Sequence, residues 1–394
     1  MASMNQMTTW IHLIKQLVAW GWRCAVLLWA FNVLVPPSAR AVMGEPQSVV
    51  TLHDHVCIHT RLIDEVHEWK MLRSLELVRE MGATTIVEFF PWAYFEPSKD
   101  RYDWSRADLI LKFAQNQGLQ VIARLGLVPN WAREGESSYS TLNTLPEEAY
   151  DDFAEFAADF ATRYEGIVTE IIVWNEPNLA FEWGFRGVDP AAYVELVKTV
   201  YQAVRAAAPS VLVLAGALAP TLEPVGSANG LNDLLYLQAM YDAGVQPYFD
   251  GLAIHTYGFS QSASEPPDPQ TLNFRRAELL YQIMMENGDG DKPVFITESG
   301  WNDHPRWAYG VRPSQRVEYT IKAFDVAETS WSWARTVCNW VFRYPTPTNS
   351  YPDNFTIAGT NFELKPLYYA IRDYTQQQTT REDLWLPAPQ PSSP

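Results

Sequence analysis

The sequence is poor in positive charge. It holds 29 Lys and Arg against 46 Asp and Glu, a formal net charge of −17. Phosphate binding needs clustered cations, so this balance excludes nucleic acid as a partner and suits neutral or cationic ligands. Cysteine is scarce as well: Cys24, Cys57 and Cys338 are the full set. Cys24 lies in a segment expected to be removed, which leaves Cys57 and Cys338, expected as two buried free thiols. No Gly-rich turn of the dinucleotide-binding kind follows the first apolar run, which argues against an open, doubly wound sheet. Long apolar runs are missing except for "CAVLLWAFNVLV" at 24–35. That run is short for a membrane span unless it extends back through Arg23 to Leu17.

Its flanks point elsewhere. Lys15 and Arg23 come before the run, and Pro36, Pro37 and "SARA" come after it, with Ala39 and Ala41 in an A-x-A arrangement. This pattern predicts a secretory signal peptide over 1–41, cleaved after Ala41. An uncleaved anchor is the alternative, and only then would a membrane be a partner. Either way the bulk of the chain is expected outside the cytoplasm, secreted or at the cell surface.

Aromatic residues are abundant, with 16 Trp and 19 Tyr. They serve either as core filling or as flat platforms for an amphipathic ligand. A hydrophobic share of 47% with 19% charged residues marks a globular chain. From Val49 onward short apolar runs alternate with amphipathic helical patterns. The runs fall at 55–60, 84–90, 119–126, 168–174, 211–218, 250–257, 292–299 and 334–342. Helical patterns follow at 63–82, 105–117, 146–164, 190–207, 231–243, 271–287, 314–329 and 365–375. The runs are nearly continuous in apolar residues, as expected of parallel strands covered on both faces. Eight strand–helix units predict an α/β fold closed into a single-domain (β/α)8 TIM barrel over 46–377, with a Pro/Ser-rich tail over 378–394. Such a barrel makes its first and last strands neighbours. Cys57 and Cys338 then fall on adjacent strands, where geometry decides whether they pair.

Barrel enzymes carry their chemistry at the C-terminal ends of the strands. The polar residues at those ends include His59, Glu88, Arg124, Asn175, Glu176, His255, Tyr257, Glu298 and Asn339. Glu176 stands directly after the apolar run "IIVW" and before Pro177, a position that a buried strand does not need. Glu298 ends another run, "VFITE". A pair of carboxylates flanking one bond is what glycoside hydrolysis requires, one as acid and one as base or nucleophile. Two carboxyls in one cleft cannot both ionise freely, so one is expected to be pushed up and to serve as the acid. Trp92, Trp131, Trp183, Trp301 and Trp340 fall at strand ends or in the loops after them, a ring of aromatics suited to sugar faces. His53, His55 and His59 are spaced at two and four but lack a clustered acidic partner, so no metal is expected; no cofactor is implied either.

Together, "WNEPN" (174–178), "ITESGW" (296–301), "FPWAYFEPSKDRYDW" (90–104) and "AIHTYG" (253–258) resemble clan A of the glycoside hydrolases, over roughly residues 49–375. Families thirty-nine and five of that clan are the most similar. The resemblance implies a retaining (β/α)8 glycosidase acting on a poly- or oligosaccharide. It implies Glu176 as general acid/base, Glu298 as nucleophile, and Asn175 as partner of the sugar 2-hydroxyl. It implies Tyr257 as a donor to Glu298, His255 as support for the acid/base or the sugar, and Trp340 as the floor under the sugar. Trp92, Trp301 and Arg124 complete the expected substrate-binding set. Many members carry Arg where this chain has Glu88. Arg124 is then expected to support the nucleophile or to serve as the ion-pair partner of Glu88. A catalytically silent carbohydrate-binding barrel at the cell surface is the alternative, and the presence of both Glu176 and Glu298 argues against it.

Overall fold

A computed structural model of the protein describes residues 15–24, 26, 41–133 and 141–376. Residues 27–40 of the expected leader and the Pro/Ser-rich tail lie outside the described residues. The chain divides into two compact units, one of residues 1–42 with 67–70 and one of residues 43–66 and 71–394. In the first, residues 15–24 are helical. No helix among the described residues is long and apolar enough to cross a membrane.

The second unit holds a closed barrel of parallel strands in the order β1 to β8. The strands are β1 (Val56–His59), β2 (Thr85–Pro91), β3 (Gln120–Gly126), β4 (Val168–Val173), β5 (Leu212–Leu218), β6 (Gly251–Tyr257), β7 (Val294–Gly300) and β8 (Ala334–Asn339). The main helices that follow them are α1 (Glu68–Glu80), α2 (Ser105–Asn116), α3 (Tyr150–Arg163), α4 (Pro190–Ala207), α5 (Asp233–Asp242), α6 (Ala277–Glu286), α7 (Pro313–Ser330) and α8 (Pro366–Gln376). The expected alternation is therefore present, unit by unit.

Local sequence explains the elements. Asp189 caps α4 by accepting from the backbone N–H of Ala191 and Ala192, with Pro190 at the first helical position. The helix buries Tyr193, Val194, Val197, Val200 and Val204, the stripe that a 3.6-residue period lays toward a sheet. The first helix begins at Glu68 rather than at 63. The reason is Glu88: its carboxylate accepts from the backbone N–H of Leu62 and Ile63 and from the Thr60 hydroxyl, which holds 60–63 as a loop.

Cys57, Val87, Ile122, Ile172, Leu214, Ala253, Phe295 and Cys338 form one apolar layer inside the barrel. Cys57 and Cys338 stand in register on β1 and β8 and are joined in a disulfide. The expectation of free thiols is thus overturned. Register decides it, because parallel neighbours in a closed barrel bring the two Cα atoms to 4.1 Å.

Three irregularities aim the site. In β5 the pairing slips between Gly216 and Leu218, and Ala217 takes a φ of 52°. Gly216 has a φ of 100°, and a Cβ there would meet the Ala253 carbonyl oxygen at 2.5 Å, so only glycine fits. The Tyr193 hydroxyl fills the gap, donating to Val173 O at 2.8 Å and accepting from Gly216 N at 2.7 Å. In β7 the pairing with β6 skips Thr297. At the end of β4, Trp174 and Glu176 take φ values of 73° and 44°, a left-handed backbone that non-glycine residues adopt at a cost.

Candidate active site

The strand ends converge as the sequence predicts. Glu176 follows β4, and its backbone N–H donates to Ala217 O at 3.0 Å, on the β5 bulge. Asn178 locks the same loop, donating to Ala219 O and Leu231 O and accepting from Ala219 N. The second asparagine of "WNEPN" is therefore a loop clamp, and β4 ends at Val173, where Trp174 turns into a left-handed backbone before Pro177 is reached.

Glu298 reaches the mouth from β7. Strict alternation after Phe295 would put Thr297 on the inner face; the skipped residue puts Glu298 there instead. Its Oε2 accepts from the Tyr257 hydroxyl at 2.6 Å, and its Oε1 accepts from Arg124 at 2.9 Å. Arg124 also donates to Asn175 Oδ1 at 2.7 Å, which fixes the asparagine's orientation. Arg124 thus serves Glu298 and not Glu88, whose partners are Thr60, Leu62 and Ile63. Glu88 is too well supplied by backbone donors to need a guanidinium.

His255 Nδ1 stands 2.8 Å from Glu176 Oε1 and 3.8 Å from Glu298 Oε2. Burial disfavours its charge, but the two carboxylates outweigh burial and raise its pKa. His59 completes the ring from β1, with Nε2 at 3.4 Å from Glu298 Oε1 and Nδ1 at 3.0 Å from Thr60 O. Burial pulls His59 down to about 3 despite Glu298. Burial alone would raise the Glu298 carboxyl. His255, His59, Arg124 and the Tyr257 hydroxyl overcome it and hold the group below the ordinary carboxylate range.

Glu176 and Glu298 face each other across this mouth, and ligand atoms of Glu176, His255 and Glu298 all lie within 4.8 Å of one another. Those three could hold a cation. Glu176 Oε1 and both Glu298 oxygens, however, already have hydrogen-bond partners in His255, Tyr257 and Arg124.

The aromatic ring is only partly as expected. Trp340, just past β8, is half-buried and packs edge-on against Tyr257, Phe355 and Tyr344. Trp92 and Trp301 are 0% and 1% exposed and offer no face to a ligand. Trp92 donates to Glu96 and packs on Trp131, Phe153 and Phe156. Trp301 donates to Gln261 O and packs on Phe274 and Tyr319. Both were expected in the substrate-binding set. Their large apolar area instead goes to anchoring loops, a use that position at a strand end does not distinguish from stacking.

Sequence reasoning also missed Glu182. It lies six positions after Glu176, within the loop that follows β4, and burial and then Glu176 push its carboxyl up to about 7. Its only sequence signal is its place in that loop.

The family model for cellulases, glycosyl hydrolase family 5, matches residues 64–337. No curated protein matches the chain. Among solved structures, a family 39 glycoside hydrolase from Bacteroides cellulosilyticus WH2 is 22% identical, with 85% of this chain and 67% of that one covered and a TM-score of 0.65. A monomeric β-xylosidase from Caulobacter crescentus CB15 is 18% identical over 83% and 69% of the two chains, with a TM-score of 0.61. A GH5_18 structure from Streptomyces cattleya in complex with GlcNAc is 15% identical over 84% and 80%, with a TM-score of 0.60. The structural likenesses carry the fold, and the family match carries the kinship. With the matched span taking in β2 to β7 and both facing carboxylates, the chain belongs to glycosyl hydrolase family 5 and is a glycosidase.

Proposed function

We propose that the protein is an exported, retaining glycosidase acting on oligo- or polysaccharides. One observation carries the retaining reading: Glu176 and Glu298 oxygens lie within 4.8 Å of each other. Retaining enzymes hold their carboxyls about 5–5.5 Å apart, whereas inverting enzymes leave about 6.5–9.5 Å for a water.

In the first step a Glu298 oxygen attacks the anomeric carbon. The bond to the leaving oxygen breaks, and Glu176 gives that oxygen its proton. Arg124 and Tyr257 keep Glu298 ionised for the attack. Asn175, held by Arg124, is placed to take the sugar 2-hydroxyl, a contact that strengthens in the transition state. In the second step Glu176, now the base, takes a proton from water. The hydroxide equivalent attacks the anomeric carbon and Glu298 leaves as carboxylate. His255 holds Glu176 in place through both steps.

Export is supported by the leader pattern of 1–41 and by the Cys57–Cys338 disulfide, since disulfides persist in oxidising compartments. The non-catalytic, carbohydrate-binding reading has no use for two carboxylates braced toward one another.

A panel of nitrophenyl β-glycosides tests the proposal. Glu176→Gln should lower turnover roughly 100- to 10,000-fold, the usual contribution of a general acid/base. Proton NMR of the first-formed sugar should show the substrate's anomeric configuration. Unchanged turnover in Glu176→Gln rejects the acid/base assignment, and an inverted first product rejects the retaining mechanism.

A further inference from the structure

Beside the carboxylate pair lies a cavity of about 210 Å³, whose lining includes Arg61, Arg124, Asn143, Trp174, Asn175 and Glu182. Two of these residues tie it to the reacting centre: Arg124 touches Glu298, and Asn175 touches Arg124. The cavity therefore shares Arg124 and Asn175 with the carboxylate site.

Its outer wall is built rather than accidental. The Trp174 indole N–H donates to the Glu182 carbonyl at 2.8 Å, which fixes the main chain at Glu182. Asn143, from the loop between β3 and α3, donates to Phe181 O at 3.2 Å and to Glu182 Oε2 at 3.3 Å. Gly184 lets the two loops approach closely, since a Cβ there would meet Thr144 Oγ1 at 2.8 Å. The Glu182 carboxylate is thus aimed by two loops into a polar space. Among the described residues no Lys, Arg or His lies within ion-pair distance of it. The two guanidiniums that line the cavity are both committed elsewhere, Arg61 to Asp64 and Arg124 to Glu298.

We propose that this cavity holds one neutral sugar ring, and that Glu182, with Asn143, accepts and donates the hydrogen bonds that read its hydroxyls and set which sugar is taken. The inference rests on the retaining glycosidase reading above and names the substrate class of that site. The chemistry favours a neutral sugar. A uronic acid would bring a second carboxylate against the Glu182 carboxyl, which a neutral ring does not. Hydroxyls both donate and accept, and a carboxyl pushed up to about 7 can do the same near neutral pH. Buried polar groups built to meet a hydroxyl discriminate strongly against an analogue that lacks it.

The test uses the best nitrophenyl β-glycoside of a neutral sugar, its 3-deoxy and 4-deoxy analogues, and nitrophenyl β-glucuronide. The wild-type protein should hydrolyse the neutral substrate at least roughly 100-fold better than the glucuronide. Glu182→Ala should lower kcat/KM on the neutral substrate by roughly 10- to 100-fold, the worth of a hydrogen bond to a charged group. On at least one deoxy analogue the same variant should lose far less, because the hydroxyl it reads is already gone. Asn143→Ala repeats the measurement should Glu182→Ala fold poorly. Equal losses on the parent and on both deoxy analogues would overturn the proposal, as would a wild-type preference for the glucuronide. A failure of the retaining reading is distinguishable, because it appears in Glu176→Gln and in the product's anomeric form, neither of which depends on Glu182.

Discussion

Cys57, Ile122 and Ala253 sit in the apolar layer of the barrel, while His59, Arg124 and His255 sit in its mouth. Each of the second set comes two residues after its counterpart on the same strand, hence on the same inward face. Over about 6.6 Å of strand the interior changes from close-packed hydrocarbon and a disulfide to charged and polar groups bonded to one another. The lower layer is organised for burial. The upper layer is organised around Glu298, a buried carboxylate kept charged by donors from β3 and β6 with His255 beside it. The two layers differ in what a substitution should cost: stability below, chemistry above.

The largest effect should come from the upper layer. Glu298→Gln removes the proposed nucleophile while keeping the side chain's volume, and kcat/KM on an aryl glycoside should fall roughly 10,000-fold or more. Its melting temperature should stay close to wild type, because the glutamine oxygen still accepts from Arg124 or Tyr257. A large loss of thermal stability would mean that the mouth also holds the barrel together. Next comes Ile122→Ala, one step below Arg124. A large-to-small change in such a layer costs about 2–5 kcal/mol, measured by urea unfolding, while kcat on the same substrate stays within a few-fold of wild type. A fall in kcat matching that of Glu298→Gln would erase the distinction between the layers. The disulfide is the third lever. It ties the first strand to the last across 281 positions, and replacing both cysteines by alanine should cost about 2–4 kcal/mol. Unfolding of wild-type protein in reductant should show the same loss, and the mouth should keep its activity at low temperature.

The same contrast explains what could be read in the sequence. The apolar layer is legible because period and run length report burial directly: each expected strand overlaps an observed one. Glu176 and Glu298 are legible because each closes an apolar run inside a motif, "WNEPN" or "ITESGW"; position at a strand end alone would not have set them apart from Glu88, which serves a loop. Arg124 is half-legible, since a strand position shows that it enters the mouth but not whether Glu88 or Glu298 takes it. Backbone donors settle that, and Leu62 and Ile63 donate to Glu88 only because the loop after β1 turns there. Trp92 and Trp301 misled for a related reason. An aromatic residue just past a strand looks alike in sequence whether it faces a sugar or a neighbouring loop. The disulfide escaped because free, buried thiols and a bonded pair share the same composition and differ only in register. Glu182 escaped because it belongs to an irregular loop, where no period says which way a side chain points. The β7 slip is illegible too, since strict alternation would have sent Glu298 outward.

The smallest predicted effect is the most informative about how the mouth works. Tyr257→Phe removes one hydroxyl, the donor at 2.6 Å from Glu298 Oε2, and leaves the ring packed against Trp340 and Phe355. Glu298 must be ionised to attack, so kcat/KM falls as pH drops through its pKa. That pKa lies below the ordinary carboxylate value because His255, His59, Arg124 and Tyr257 together outweigh burial. Removing the hydroxyl withdraws one stabiliser of the anion, raises the pKa, and moves the acidic limb of the profile toward higher pH. A hydrogen bond to a charged group is worth about 1.5–3 kcal/mol and one pH unit about 1.4 kcal/mol, so a shift of about one unit is expected. The measurement is kcat/KM from about pH 1.5 to 8 for both proteins on one aryl glycoside, a window that takes in the wild-type limb at about 2. An unmoved acidic limb would assign the anion's stability to Arg124 and the histidines alone, and would reduce Tyr257 to a packing residue that belongs, by its energetics, with the layer below.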